Sequence, residues 1–279
     1  MQRVDGETKN LKRSMFTDMN IQDFIKQYND GASMAELSRK FNLSAYKVKK
    51  ILENNNVHIR NRKEQNQISN AKRAYSVNHK YFNNIETVNQ AWILGFLAAD
   101  GWVEEKRNRI NIELSAVDKE ILEKIKKEMN IENPIIERET NKGFSIVKLS
   151  WTSGIQKDKL NNFGIVNNKT YKKMKLPLFK NKDLTYAFIL GFFDGDGSIS
   201  IKDDYCRFRL CAHRPELLQD IYNFLNVKGS LSQDNRGLWE LSISTTYAVP
   251  LFKKLYSLNS LHLQRKYNKF LEYNTSKRV

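Results

Sequence analysis

Apolar positions in the first sixty residues recur at helical spacing. Residues 20–30 place Ile21, Phe24, Ile25 and Tyr28 on one stripe, with Gly31 after them, and predict a short helix. Ser33 and Glu36 follow as an S-x-x-E pair, the pattern in which two side chains satisfy the orphan amides of a helix start. That helix carries Leu37 and Phe41 and runs into Asn42, a residue that tolerates the left-handed backbone of a tight turn. Ser44 then caps SAYKVKKILENN, whose apolar positions are Val48, Ile51 and Leu52. Helix, tight turn, helix with this spacing predicts a helix-turn-helix over residues 1–60. Its second helix turns Tyr46, Lys47, Lys49 and Lys50 outward, where such a motif meets the major groove of DNA. After Val57 the apolar pattern stops. Arg60, Arg62, Lys63, Lys72, Arg73 and Lys80 dominate, and residues 61–77 are expected to form a basic arm tracking a phosphate backbone.

From residue 78 the pattern changes to alternating strands and amphipathic helices, and it occurs twice. ILGFLAADG at 93–101 and ILGFFDGDG at 189–197 agree at six of nine positions, 96 residues apart. The first copy is followed by strands near 102–106 and 109–116, a helix at 117–130, strands near 135–139 and 144–151, and a helix near 154–163. The second is followed by strands near 198–203 and 205–212, a helix at 214–226, strands near 228–233 and 237–244, and a helix near 246–258. The expected fold is α+β. It comprises two pseudo-symmetric αββαββα units with curved antiparallel sheets, at 78–184 and 185–279, plus the small all-α N-terminal domain.

The residues of the repeat carry the chemistry. Gly95 and Ala99 are four apart, as are Gly191 and Gly195, so each helix has a small-residue face on which the other can pack closely. Gly101 and Gly197 are expected to end these helices in the left-handed cap conformation. Asp100 and Asp196 fall in the last turns, where a carboxylate faces the negative end of the helix dipole at a cost of roughly 0.3–1 kcal/mol. Packing would bring the two acids together as well. Divalent cations remove both penalties, and Mg²⁺ is typically held by one or two carboxylates with phosphate oxygens and water.

Charge changes the picture further. The chain of 279 residues holds 47 Lys+Arg against 31 Asp+Glu, a net +16, and the excess is spread as +7, +5 and +4 over 1–89, 90–184 and 185–279. A polyanion contacting the whole length explains that distribution better than a membrane surface does. No apolar run approaches a bilayer span, the N-terminus lacks a secretory apolar segment, and Cys206 and Cys211 are too few for a disulfide scaffold. A cytoplasmic monomer is expected.

The two motifs resemble the signature of the LAGLIDADG homing endonucleases in their single-chain, two-motif form, over residues 78–279, and the N-terminal helices and arm look like those attached to intron-encoded relatives. The resemblance implies that the motif helices form the subdomain interface and that each sheet faces a DNA major groove. It implies that Asp100 and Asp196 are the catalytic acids and bind Mg²⁺. It also places a basic residue near each scissile phosphate, carried here to Lys169 and Lys266, with Arg265 a rival to the latter. The family's earlier acid is Ala98 in the first motif and Asp194 in the second; Asp194 reads as a helix-end contact. Strand alternation turns Arg109, Asn111 and Glu113 outward from the apolar face of the first sheet. It does the same for Ser198, Ser200, Lys202, Arg207 and Arg209 on the second, and most of these types read base edges.

Three functions compete: a site-specific double-strand DNA endonuclease with a long asymmetric target, an RNA-binding intron maturase on the same fold, and a non-cutting helix-turn-helix transcription regulator. Carboxylates beside phosphates repel a ligand that is only bound, so Asp100 and Asp196 favour the endonuclease. With no leading Cys or Ser nucleophile and no terminal His-Asn, a free-standing intron product is expected rather than an intein.

Overall fold

A computed structural model describes residues 21–72, 75–166 and 174–276. The chain divides into two compact units, Met1–Ala74 and Tyr75–Val279, so the boundary falls inside the segment expected to be an arm.

In the first unit, α1 (Ile21–Asn29), α2 (Met34–Lys40) and α3 (Ala45–Asn54) enclose Phe24, Tyr28, Leu37, Leu43, Val48 and Leu52. The Ser33–Glu36 capping box is formed, Ser44 accepts from the Lys47 amide, and Asn42 adopts a φ of 51° in the turn. A fourth helix, α4 (Arg62–Lys72), occupies much of the expected arm. Its start is fixed by a reciprocal pair: the Asn61 amide donates to Glu64 Oε2 at 2.8 Å and the Glu64 amide to Asn61 Oδ1 at 3.0 Å. That local N-x-x-E signal was in the sequence, but the scarcity of apolar residues hid it.

The second unit contains both repeats. The first runs α5 (Val88–Asp100), β1 (Gly101–Glu104), β2 (Arg109–Ser115), α6 (Lys119–Glu128), β3 (Ile135–Glu139), β4 (Ser145–Thr152) and α7 (Gly154–Asn162). The second runs α8 (Lys182–Asp196), β5 (Gly197–Lys202), β6 (Tyr205–Ala212), α9 (Pro215–Leu225), β7 (Ser230–Gln233), β8 (Trp239–Ile243) and α10 (Thr245–Tyr256). A further helix, α11 (Gln264–Ser276), closes the second repeat. Each repeat forms a four-stranded antiparallel sheet, in the orders β1-β2-β4-β3 and β5-β6-β8-β7. Alternation sends Ile110, Ile112, Val147 and Leu149, and in the second sheet Phe208, Leu210, Leu241 and Ile243, to the fully buried side. The amphipathic helices α6 and α9 cover those faces with Ile121, Leu122, Ile125 and with Leu217, Leu218, Ile221.

The expectation of left-handed caps is corrected. Gly101 (φ −81°, ψ 158°) and Gly197 (φ −98°, ψ 166°) are extended and serve as the first residues of β1 and β5. Glycine is required there for space. A Cβ at Gly101 would lie 2.8 Å from the Leu97 carbonyl oxygen, and one at Gly197 would lie 2.5 Å from that of Phe193.

Candidate active site

The site begins with two helices that are buried all round. Residues Ala91–Ala99 of α5 form one unbroken buried run, and Ala187–Asp194 of α8 form another. A helix apolar on every face belongs in the centre of a domain. Their starts are fixed independently. Thr87 and Gln90 make a capping box for α5, and Asn181 Oδ1 accepts from the Leu184 amide for α8. Their contact is set by the paired glycines. A Cβ on Gly95 would collide with the Phe188 carbonyl, and one on Gly191 with the Trp92 carbonyl. Gly95 and Gly191 are 96 apart, as are Trp92 and Phe188. The contact is therefore reciprocal, and the two helices reach their ends at matched positions.

Asp100 and Asp196 stand at those ends, the first half-buried and the second exposed. An ideal Cβ built on Gly195 would lie 3.0 Å from Asp100 Oδ2, so the Asp100 carboxylate packs against the residue preceding Asp196. The two helix ends, each carrying one aspartate, thus meet where two helix dipoles present their negative poles. Among the described residues, no three His, Cys, Asp or Glu side chains gather into a metal cluster. Two hard oxygen donors with room for other oxygens suit Mg²⁺ or Ca²⁺, which complete their shells with substrate and water, and do not suit Zn²⁺.

Beneath this pair lies Asp194, fully buried. Its Oδ2 accepts from Trp92 Nε1 of the other motif helix at 2.9 Å and from the Leu263 amide at 3.1 Å. Its Oδ1 has no hydrogen-bond partner. Burial pushes the Asp194 carboxyl well above the usual carboxylate range, against the pull of the Lys266 ammonium. The expected helix-end contact is therefore a cross-helix pin. Ala98, its counterpart, offers no second pin.

The two rival cations separate. Arg265 grips Asp118 with three hydrogen bonds of 2.9, 3.2 and 3.1 Å, tying α11 to the start of α6. Lys266 is only 5% exposed, and its Nζ reaches the backbone carbonyls of Phe193, Asp194 and Gly197 at 2.6, 2.7 and 2.7 Å. Burial lowers its proton affinity, while Asp194 and, more weakly, Asp100 and Asp196 raise it. Lys169 lies outside the described residues.

On the sheet faces turned away from the helices, the register of the first sheet aligns Trp102, Asn111 and Ser150 in one row. Asn111 differs from expectation: it is 1% exposed, and its Oδ1 accepts from Ser150 Oγ at 2.8 Å. The neighbouring Trp102, with Lys148 Nζ 4.8 Å from its ring centroid, shares this face. Arg109 lies 3.9 Å from Glu104, and Glu113 accepts from Arg138 at 3.1 Å. In the second sheet, Arg209 donates to Ser200 Oγ at 2.6 Å and lies 3.8 Å from Glu240, in one row with Ser198 and Ser242. The Arg207 guanidinium sits 4.9 Å from the Tyr205 ring, and Lys202 pairs with Tyr205 across the strands. Sequence reasoning stopped at the first two strands of each repeat. The same alternation, applied to β3, β4 and β8, would have found Arg138, Lys148, Ser150, Glu240 and Ser242.

In the N-terminal unit, Tyr46 is 70% exposed, Lys47, Lys49 and Lys50 are exposed, and Glu53 pairs with the last two at 3.6 and 3.1 Å. Arg62 and Lys63 are exposed in the first turn of α4. Arg60 is not a free arm residue. Its guanidinium stacks 3.8 Å from the Tyr28 ring and donates to the Tyr28 and Ala32 carbonyls at 2.9 and 2.6 Å, because an arginine can cover an aromatic ring and reach nearby carbonyls at once.

A family model described as a LAGLIDADG-like domain matches residues 87–162 and 183–255, more than half of the chain. An uncharacterized protein of Methanocaldococcus jannaschii, MJ0314, is 26% identical over 193 residues, covering 66% of each chain, so this chain spans just under two thirds of that relative. Among solved structures, the meganuclease I-SmaMI bound to uncleavable DNA is similar with a TM-score of 0.47 and 14% identity, over 66% of this chain and 89% of its own. The LAGLIDADG homing endonuclease I-LtrWI bound to target DNA is similar with a TM-score of 0.45 and 16% identity, over 72% and 92%.

Proposed function

This chain belongs to the LAGLIDADG-like domain family, and from that premise we propose that it is a site-specific DNA endonuclease of the intron-homing kind that cuts both strands. The observation that carries the reading is the pair Asp100 and Asp196, at matched ends of two helices held together by reciprocal glycine contacts. A protein that only binds nucleic acid gains nothing from two carboxylates set there.

Asp100 and Asp196 would hold divalent cations, with Mg²⁺ as the working ion. Such an ion supplies an activated water and neutralises charge on the departing oxygen. The protein's own part is positional. The glycine contact fixes the separation of the two helices, Asp194 pins Trp92 across it, and each aspartate is delivered at the mouth of a sheet. On those sheets, Arg109, Glu113, Ser198, Ser200, Lys202, Arg207 and Arg209 would meet a major groove, with Asn111 behind them. Tyr46, Lys47, Lys49, Lys50, Arg62 and Lys63 would let the N-terminal unit contact a neighbouring DNA segment, lengthening the site without adding chemistry.

The test is incubation of the full chain and Mg²⁺ with a plasmid library carrying random inserts, followed by mapping of double-strand ends. Asp100→Asn should abolish double-strand cutting while retaining binding, because the contact surface far exceeds one side chain. Double-strand cutting by that variant at the wild-type rate would sink the assignment.

A further inference from the structure

Lys266 belongs to the first turn of α11, yet its side chain points inward. An ammonium has three protons, and the three closest acceptors are the carbonyls of Phe193, Asp194 and Gly197, with that of Gly195 next at 3.5 Å. The donors are therefore used up on backbone oxygens. Those oxygens belong to the last turn of α8 and the residue after it, where a helix runs short of amide donors and presents its negative pole; of the three, only that of Phe193 also accepts from the cap amide, that of Gly197. They bracket Asp196 on both sides. The clamp is held from behind as well. The Lys266 amide donates to the Leu263 carbonyl at 3.1 Å, the Leu263 amide donates to buried Asp194, and the Phe193 ring lies 4.9 Å from the ammonium. Arg265, the other cation at this point, is committed to Asp118.

We propose that Lys266 is a positioning residue: it clamps the turn that carries Asp196 and does not itself donate to the scissile phosphate. This changes the role expected from the resemblance, and its consequence for cleavage rests on the nuclease reading above. Its effect is local. Removing the clamp takes the ammonium away from the carbonyls on either side of Asp196, whereas the Asp100 turn, which meets this one through Gly195, contributes none of those carbonyls. The two strands should therefore respond unequally.

The experiment compares wild type with Lys266→Met, which cannot donate, and Lys266→Gln, which is uncharged but still donates. In the metal-free full chain, hydrogen exchange over 195–199 should rise at least about tenfold in Lys266→Met, while that over 93–101 is unchanged. With Mg²⁺ and a substrate recovered from the wild-type selection, the strand also lost in Asp196→Asn should slow by about 100-fold at low metal and recover as metal is raised. Nicked circles should accumulate, and Lys266→Gln should retain most of the wild-type rate on both strands. Three results overturn the clamp: unchanged exchange in Lys266→Met, a rate loss that persists at saturating Mg²⁺, or Lys266→Gln as slow as Lys266→Met. If Lys266→Met does not fold, the exchange and strand rates of Lys266→Gln decide alone, and wild-type exchange with a cleavage loss in that variant overturns the clamp. Failure of the wild type to cut any library member would end the nuclease reading, and the exchange measurement would still decide the clamp.

Discussion

Gly95→Ala adds one methyl group at the point where α5 and α8 are closest. The new Cβ would sit far inside van der Waals contact distance of the Phe188 carbonyl oxygen, with the Phe188 carbon at 2.9 Å and the Phe192 amide nitrogen at 3.0 Å. All three neighbours are backbone, so no rotamer change relieves the overlap and the helices must separate. Overpacking a core against movable side chains costs about 1–3 kcal/mol, and a backbone neighbour puts this case at or above the upper end. Alanine returns up to about 1 kcal/mol of helix propensity. A net loss of at least about 2 kcal/mol follows, which for a unit of this size lowers Tm by roughly 4–8 °C. Separation also strains the 2.9 Å bond from Trp92 to Asp194, which crosses the same contact. Gly191→Ala should behave alike, since its Cβ meets the Trp92 carbonyl. Gly154→Ala is the control: it opens α7, its φ is not positive, and the nearest atom to a Cβ is Asn108 Nδ2 at 3.7 Å. Calorimetry of the three variants tests the argument. Gly95→Ala as stable as Gly154→Ala would refute the view that backbone proximity at the glycines sets this interface.

Other outcomes follow from the same residues. Deleting residues 1–60 should weaken DNA binding, shorten the protected footprint and flatten the salt dependence, by about 0.9 in the slope of log K against log salt for each phosphate left unneutralised; an unchanged footprint would assign the N-terminal unit to another partner. Asp100→Ala should bind DNA more tightly than wild type in chelator and equally in Ca²⁺, because a bare carboxylate repels the phosphate that a cation attracts; weaker binding in chelator would remove Asp100 from the phosphate. Burial pushes the Cys206 thiol up to about 11 from 9.0, so its thiolate fraction at pH 8 should be about 100-fold below that of the unfolded chain and its alkylation correspondingly slow. The same shift makes its contribution to stability whole below pH 9 and lost as pH rises toward 11, which urea unfolding of wild type against Cys206→Ala across that window can read.

Much of this was legible because the signals were local or repeated. Ser33 with Glu36, Asn42 in the left-handed turn and the small residues Gly95, Gly191 and Gly195 carry their reasons in their own chemistry, and each stands as expected. The two sheets followed from period-two alternation backed by a second copy. What was illegible depended on distant partners. Arg60 looks like any basic residue of an arm until Tyr28, thirty-two positions earlier, is folded under it. Lys266 could be placed near the site by its offset, but nothing in one dimension tells whether an ammonium turns toward backbone carbonyls or toward solvent. The end glycines misled for a related reason: glycine is needed for a positive φ or for close approach, and the sequence alone does not distinguish the two.

The two repeats match in frame and differ in the rows they expose. Gly95 and Gly191, like Trp92 and Phe188, keep the 96-residue offset because a reciprocal contact tolerates no drift. The sheet rows obey no such constraint. Where the first sheet aligns Trp102, Asn111 and Ser150, the second aligns Ser198, Arg209 and Ser242. An indole stacked under Lys148 with a buried carboxamide behind it, and an arginine braced by Ser200 and Glu240, present different donors and shapes to a groove. A symmetric dimer must read both halves of its site alike. Fusing two copies in one chain releases that requirement while the helix contact still dictates where the two aspartates lie. Divergence therefore collects on the sheets and at the Ala98–Asp194 and Ala99–Gly195 positions, and it is absent from the Gly95–Gly191 pair and from Asp100 and Asp196. That separation is what the proposed nuclease, with one fixed chemistry and an asymmetric target, would require of its sequence.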